Sequence, residues 1–486
     1  METKFGFKQL HKSYIKCRKN KRNTINALKF EQNLEENLLE LGHELKSKIY
    51  KPKRSVCFTV IKPKPREIFA ADFRDRIVHH LIVEYLEKIF EPKFICDSYA
   101  CRKNKGTHKA VDRLQKFMRK ATLNNKKRAY YLQLDLHNFF MSIDKNILFS
   151  MIKKHVKDKE MLQLTKIVIF NDPTENFIQK SSNVEKNNVP EHKSLFNAPV
   201  DTGLAIGNYT SQFFANVYLN EFDQFVKHEL KCKFYIRYVD DFVLISSSKK
   251  ELLEHKEKIE QFLKEKLNLK LNPKQTLLPV SNGVNFLGYI INPSYRLVRK
   301  RVIHNFDEKI KHFEKKLVLQ HKQYKQIHYD NIVELQAVVN SYFGHFRHAN
   351  THALKASLLK KYSFLRNYFI FMDNKAVARF KQKYIPLKKQ YNYFTERLND
   401  FVIIIQVGCF YQILTAQAKK LSKLLNLKLI YCKNSWWKFK IGFPIHKLCK
   451  YITKIINLGI HVAVIKQIKY SYVCFRSLNR VYVINK

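Results

Sequence analysis

Residues Phe234–Ser246, FYIRYVDDFVLIS, read as two short strands, Phe234–Val239 and Phe242–Ile245, folded back at Asp240-Asp241. The flanks are β-branched, aromatic or aliphatic, which predicts a hairpin. Hairpin turns favour Asn-Gly or Asp-Gly because the chain needs positive φ there. Two adjacent carboxylates without a glycine imply strain and mutual repulsion. A divalent cation relieves that repulsion, since hard cations take carboxylate oxygens. The plainer reading is a polar turn with both aspartates in water. Upstream, Tyr130–Leu136, YYLQLDL, alternates Leu132, Leu134 and Leu136 with Gln133 and Asp135. An aspartate at a strand end and an Asp-Asp turn can converge on one pair of cations. In-line phosphoryl transfer needs such a pair, one ion for the attacking hydroxyl and one for the leaving pyrophosphate.

Asp135 is followed by Phe140, and this D-x-x-x-x-F block with YVDD resembles the palm of a reverse transcriptase. The resemblance covers about residues 55–365, in reverse-transcriptase order: KPKPREI, DFRDRIVHH, DSYACRKNKGTHKA, LDLHNFF, IGNYTSQFFAN, YVDD and FLGY. Where many such enzymes carry a Pro-Gln-Gly block, this chain has Ile206–Gln212, IGNYTSQ, with PEHKSLFNAP upstream. That form resembles the diversity-generating retroelements, whose error-prone enzymes copy a template RNA, miscopy adenines and pass the cDNA to a variable repeat.

The resemblance implies an α+β right-hand polymerase fold: fingers, a palm with an antiparallel sheet, and a helical thumb. It makes Asp135, Asp240 and Asp241 the catalytic, metal-binding aspartates for two Mg²⁺ ions, with Mn²⁺ as a substitute. Lys64, Arg66, Phe140 and Gln212 become the nucleotide site, with Lys64 and Arg66 on the triphosphate and Phe140 excluding a 2′-hydroxyl. Ile206, Gly207 and Ser211 fall where template-base choice is made. Lys274 is the candidate proton donor, although relatives often carry lysine at the position held here by Gln275. The implied partners are template RNA, a DNA or RNA primer, the cDNA duplex, dNTPs and an accessory protein. The alternatives are a prokaryotic phage-defence reverse transcriptase and a catalytically silent RNA-binding scaffold.

Composition agrees with a polyanion partner. The 486 residues hold 90 Lys and Arg against 41 Asp and Glu, a net charge of +49, spread along the chain. No apolar run approaches a membrane span, and the basic N-terminus has no apolar core, so a cytoplasmic protein without a membrane partner is expected. The nine cysteines are scattered and fit reduced thiols.

Along the chain, residues 1–50 read as a helical extension with Leu28, Leu34, Leu38, Leu41 and Leu45 at helical spacing. Fingers and palm are expected over 51–300. There a stiff Lys-Pro-Lys-Pro turn projects Lys62, Lys64 and Arg66, either to a triphosphate or to water. Phe73–Phe90 follows as a helix, and 97–110 is a basic loop entering a helix near Gly106. Phe140 by itself reads equally as a core aromatic, and Asp144 reads as a helix cap. Residues 171–200 read as a long polar surface insertion. Thr210-Ser211 is expected to cap a helix running to about Leu230. A helical thumb at 301–368 and a basic linker at 369–398 come next.

The tail, 399–486, reads as a small α/β domain. A strand at Phe401–Val407 turns through Gly408-Cys409 to Phe410-Tyr411-Gln412, and a helix follows with Ile413, Leu414, Ala418, Leu421 and Leu425 on one face. GCFYQ, AKKLSKLLNL, GFPIHKLCKYI and INLGIHVAVIKQ together resemble the mismatch-binding N-terminal domain of MutS proteins. In that family a Gly-x-Phe-Tyr-Glu phenylalanine stacks on an unpaired base. Phe410 matches the stacker, and Gln412 replaces the glutamate. Phe410 reads either as a base-stacking ring or as a core aromatic in a scaffold that kept its fold alone.

Overall fold

The computed structural model describes residues 4–19, 24–61, 64–182, 188–317, 325–372, 375–379, 387–470 and 473–483. It falls into two compact units: residues 1–287 with 291–294, and residues 288–290 with 295–486.

In the first unit, the N-terminal extension is three helices, Phe7–Arg18, Ile25–Gln32 and Leu34–Lys46. Leu38, Leu41 and Leu45 are buried, whereas Leu28 is exposed. Tyr14 and Phe30 pack on Phe73, the first residue of the long helix Phe73–Phe90. Strands Ser55–Val60 and Arg66–Ala70 pair antiparallel around the proline-rich turn, of which Lys62 and Pro63 lie outside the described residues.

The insertion at 171–200 is tied down more firmly than its polarity implies. Phe177–Gln179 adds a parallel strand beside Ser55–Val60. Phe177 and Phe196 pack on Phe69, and the buried Glu67 carboxylate accepts from Ser194 Oγ at 2.7 Å and from the Leu195 backbone N–H at 2.9 Å. Two phenylalanines and a leucine in a polar run are enough to anchor it.

The palm-like sheet has four antiparallel strands in the order Phe234–Tyr238, Asp241–Ser246, Tyr130–Asp135, Thr276–Pro279. Leu132 and Leu134 enter the main core with Phe213, Phe214 and Val217 from helix Tyr209–Tyr218 and Leu252, Ile259 and Leu263 from helix Lys249–Leu267. Thr210 and Ser211 do not cap the former helix. They are buried in its first turn, Asn208 holds the cap position, and the helix is interrupted only at Leu219. The cap side chain is used elsewhere: Asn208 Oδ1 accepts from the Ala71 backbone N–H. After the break at Leu219, helix Asn220–Gln224 and a π-helical turn, Phe225–Glu229, carry the run on to the expected end near Leu230.

The second unit holds helices Lys300–Leu317, Tyr329–Phe346, His352–Lys361 and Leu365–Tyr368. The helical run expected at 301–368 is broken by a strand, Lys325–His328, which pairs antiparallel with Val473–Val483. The stretch 369–398 is not a featureless linker. Phe369–Met372 and Lys375–Ala378 form a hairpin, and Leu387–Arg397 is a helix. Alternation in FIFM and KAVA buries Phe369, Ala376 and Ala378, which is why this segment folds.

The tail sheet has seven strands, in the order 325–328, 473–483, 461–470, 401–407, 410–414, 439–444, 430–431. Ile413 and Leu414 belong to a strand, because the helix begins only at Thr415. Val402, Ile404, Tyr411, Ile413, Ile441 and Phe443 bury one face against helices Thr415–Leu425 and Leu448–Asn457. Among the described residues no helix is long and apolar enough to cross a membrane.

Asn340 locks the 369–378 hairpin. Its Nδ2 donates to the Ala376 carbonyl at 2.9 Å, and its Oδ1 accepts from the Ala376 N–H at 2.7 Å. Asn340→Leu orphans that buried N–H at a cost of about 1–3 kcal/mol. Amide exchange within residues 369–378 should then speed up by about 5- to 150-fold, whereas a true linker would exchange fast in both proteins.

Candidate active site

The hairpin at 234–246 turns one residue earlier than its sequence implies. Tyr238 pairs with Asp241, so Val239 and Asp240 form the two-residue loop. The positive φ falls on Val239 (+56°), not on an aspartate. A β-branched residue in the left-handed region costs about 1–3 kcal/mol and persists only where its surroundings impose it.

Arg237 imposes it. Its Nη1 donates to the Val239 carbonyl at 2.9 Å and to Asn216 Oδ1 at 3.3 Å. Its Nε and Nη2 grip both oxygens of Asp223 at 2.8 and 2.6 Å, and Tyr235 OH donates to the same carboxylate at 2.7 Å. Arg237 is 1% exposed and Asp223 0%. Neither residue was singled out from the sequence. The available signal was an arginine in the middle of the apolar strand FYIRY.

Asp135 ends its strand directly across from Asp241, with Asp240 next in the loop. Burial, then the charge of Asp240, pushes Asp135 up to about 6, against the pull of Lys64. Burial pushes Asp241 up to about 7, against a Gln133 Nε2 hydrogen bond of 3.0 Å and with help from Asp135 and Asp240. Burial also raises Asp240, opposed by Arg66, Lys64 and Arg237. The three carboxylates therefore share one electrostatic field. Among the described residues, no group of three His, Cys, Asp or Glu side chains is arranged to hold a metal ion. The donor set is nonetheless of the right chemistry, since crowded carboxylate oxygens are the ligands hard divalent cations take.

The other predicted residues divide into near and far. Lys64 and Arg66 are exposed on the fingers hairpin, and their charge acts on Asp240. Lys274 is exposed and is not among the strongest influences on Asp135 or Asp240. Phe140 is half-buried against Phe139, at 5.4 Å between ring centroids, and beside Phe69, Met141 and Leu195. The Ile206-Gly207 loop lies on strand Arg66–Ala70: the Phe69 N–H donates to the Ile206 carbonyl at 2.9 Å. At Gly207, with φ +120°, a Cβ would come within 2.8 Å of Ile68 Cγ2, so only glycine fits. Gln212 is exposed, and its Oε1 accepts from the Cys101 thiol at 3.4 Å. Ser211 points away from Gln212 and lines a cavity of about 310 Å³ with Asp75, His79 and Lys145. Asp144 caps the next helix, accepting from the Asn146 and Ile147 N–H groups. In the second unit, Phe410 is 48% exposed at a strand end, and Gln412, two residues on, shares its face.

Comparison with known proteins matches residues 51–291 to the family described as reverse transcriptase (RNA-dependent DNA polymerase), and residues 385–483 to MutS domain I. Protein YkfC of Escherichia coli (strain K12) is 25% identical over 312 residues, covering 57% of this chain and 75% of YkfC. The group II intron-encoded protein LtrA of Lactococcus lactis subsp. cremoris is 23% identical over 324 residues, covering 53% of this chain and 50% of LtrA. The DNA mismatch repair protein MutS of Christiangramia forsetii is 32% identical over 93 residues, covering 19% of this chain and 11% of that protein. The chain thus spans half of one such relative and about a tenth of another.

Two outcomes follow from the geometry. Arg237→Met strands the Asp223 carboxylate in the core and should cost about 3–5 kcal/mol in urea unfolding. Arg237→Met with Asp223→Leu should recover most of that stability. Asp241 has a folded pKa above its ordinary 3.8, so its ionisation opposes folding. The penalty is absent below about pH 4, grows between the two values and is complete above about pH 7, where it is at most about 4 kcal/mol. In chelator, Asp241→Asn should therefore raise the unfolding midpoint at pH 8 and leave it nearly unchanged at pH 4.

Proposed function

We propose that this chain, whose residues 51–291 belong to the reverse transcriptase (RNA-dependent DNA polymerase) family, copies a template RNA into cDNA at Asp135, Asp240 and Asp241. The observation that carries the reading is the facing pair Asp135–Asp241 with Asp240 beside it, three carboxylates held in one field at the edge of a basic hairpin. Two Mg²⁺ ions, or Mn²⁺ in their place, would be held by these aspartates, and would activate a primer 3′-hydroxyl and neutralise the departing pyrophosphate. The aspartates supply the ligands, and their raised proton affinity makes metal loading compete with protons. Lys64 and Arg66 bind the triphosphate as point charge and bidentate donor. Phe140 stands as the ring beside the incoming sugar, backed by Phe139. Ile206, Gly207 and Gln212 line the template side, where Gly207 keeps the loop close to the fingers hairpin.

The finer assignment is the mutagenic enzyme of a diversity-generating retroelement, supported by the IGNYTSQ block in place of Pro-Gln-Gly. The tail, by its membership of the MutS domain I family, is read as a nucleic-acid-binding module with Phe410 as its stacking ring.

Primer extension on a defined RNA, with every product sequenced, tests both levels. The wild type should extend in Mg²⁺, and Asp240→Asn should lower the rate by at least about 10³-fold. Errors concentrated opposite template adenines support the retroelement assignment. Faithful or untemplated product removes that assignment and leaves the polymerase. Equal extension by wild type and Asp240→Asn removes the polymerase reading.

A further inference from the structure

From Phe401 to Lys486 the chain has fifteen lysines and arginines and not one aspartate or glutamate. Within that stretch no side-chain carboxylate opposes a phosphate backbone, and the nearest acids, Glu396 and Asp400, precede it. The chain's only two tryptophans, Trp436 and Trp437, lie in the same segment. They sit in the connection between strands Ile430–Tyr431 and Phe439–Pro444, at the outer edge of the seven-stranded sheet.

At that edge aromatic rings and cations interleave. Lys440 Nζ stands 4.8 Å from the Trp437 ring centroid, and Lys419 Nζ stands 5.5 Å from that of Phe439. Tyr431 lies 5.2 Å from Phe439, ring to ring, and is itself 61% exposed. Trp436 leans on Tyr391 at 5.4 Å, which fixes the base of the turn. Lys433 and Lys438 are exposed on either side of the tryptophans. The strand Ile430–Tyr431 is an end strand of two residues, and among the described residues no further strand pairs with its outer flank.

Rings presented at an edge among unopposed lysines suit unpaired bases. Base–aromatic stacking tolerates any sequence, while the lysines follow the backbone. Bases inside a duplex offer such rings no face. We propose that the 430–440 edge of the tail binds single-stranded nucleic acid, with bases stacked on Tyr431 and Trp437 and phosphates on Lys433, Lys438 and Lys440, as a site separate from Phe410. The proposal rests on the reading that nucleic acid is this chain's partner, but not on catalysis. It gives the tail a place to hold template or product strand that is not paired.

Because Trp436 and Trp437 are the only tryptophans of the sequence, fluorescence of the full-length protein excited selectively in tryptophan over the 26 tyrosines reports on this edge. Titration with oligo(dT) or oligo(U) should quench it saturably, and the affinity should fall steeply as salt rises from about 50 to 200 mM. A blunt duplex of the same length should quench far less. Tyr431→Ala, an exposed substitution that leaves both tryptophans, should weaken single-strand affinity by about 5- to 150-fold. Phe410→Ala should change it by less than about twofold. No quenching by single strands, equal quenching by duplex, or a loss in Phe410→Ala as large as in Tyr431→Ala would each overturn the proposal. Failure of the polymerase reading would instead appear in the extension assay as indifference to Asp240→Asn, whatever the fluorescence shows.

Discussion

A guanidinium sealed beneath a hairpin turn is the constraint on which the candidate active site depends. Arg237 is almost wholly out of water and Asp223 entirely so. Burying such a pair costs several kcal/mol per ion, and a well-packed apolar replacement is often as stable. The pair is therefore a poor source of stability and a strong source of geometry. The remaining nitrogen of Arg237, Nη1, donates to the Val239 carbonyl, and that bond holds a valine where a glycine would be expected. With Val239 fixed, Asp240 must follow in the loop and Asp241 must start its strand opposite Asp135.

The second constraint is the charge balance around those carboxylates. The sheet brings Asp135 and Asp241 face to face and partly removes them from water, which favours their protonated forms. The fingers hairpin opposes this with Lys64 and Arg66. The same hairpin is braced from behind by Phe177, Phe196 and the buried Glu67, all tied to the insertion at 171–200. A stretch that looks dispensable in sequence thus stiffens the element that carries the counter-charges.

Much of this was legible in the sequence because it is local. Alternation in YYLQLDL and the apolar flanks of YVDD fix two strands and the face of each residue. The proline-rich turn fixes the fingers hairpin, and Asp144 fixes a cap. What escaped is set by side-chain partners and strand pairings that local alternation does not encode. The turn shifted by one residue because Arg237 donates to the Val239 carbonyl while anchored on Asp223, fourteen residues back, a pairing that alternation along the strand does not show. Thr210 and Ser211 have capping chemistry, but the register of their helix buried them inside its first turn. Ile413 and Leu414 fit a helical stripe as well as a strand, and pairing with Ile441 and Lys440 decided for the strand.

The largest surprise concerns where the tail ends. Strand Lys325–His328 comes from within the segment expected to be a helical thumb, yet it completes the tail's sheet beside Val473–Val483. The segment 369–398 then packs a hairpin onto helix Tyr329–Phe346 through Asn340 and a helix onto strand Phe401–Val407. A module joined by one flexible linker searches space freely, and its effective concentration falls with linker length. A module that borrows a strand from its neighbour cannot detach without breaking backbone hydrogen bonds. Helices 300–368 and the MutS-like sheet therefore act as one body, and whatever the tail binds is held at a fixed orientation to those helices. On the proposed reading, that coupling gives the basic, aromatic edge a mechanical use: a strand captured there is held at a set orientation to the helical segment, not at the end of a tether.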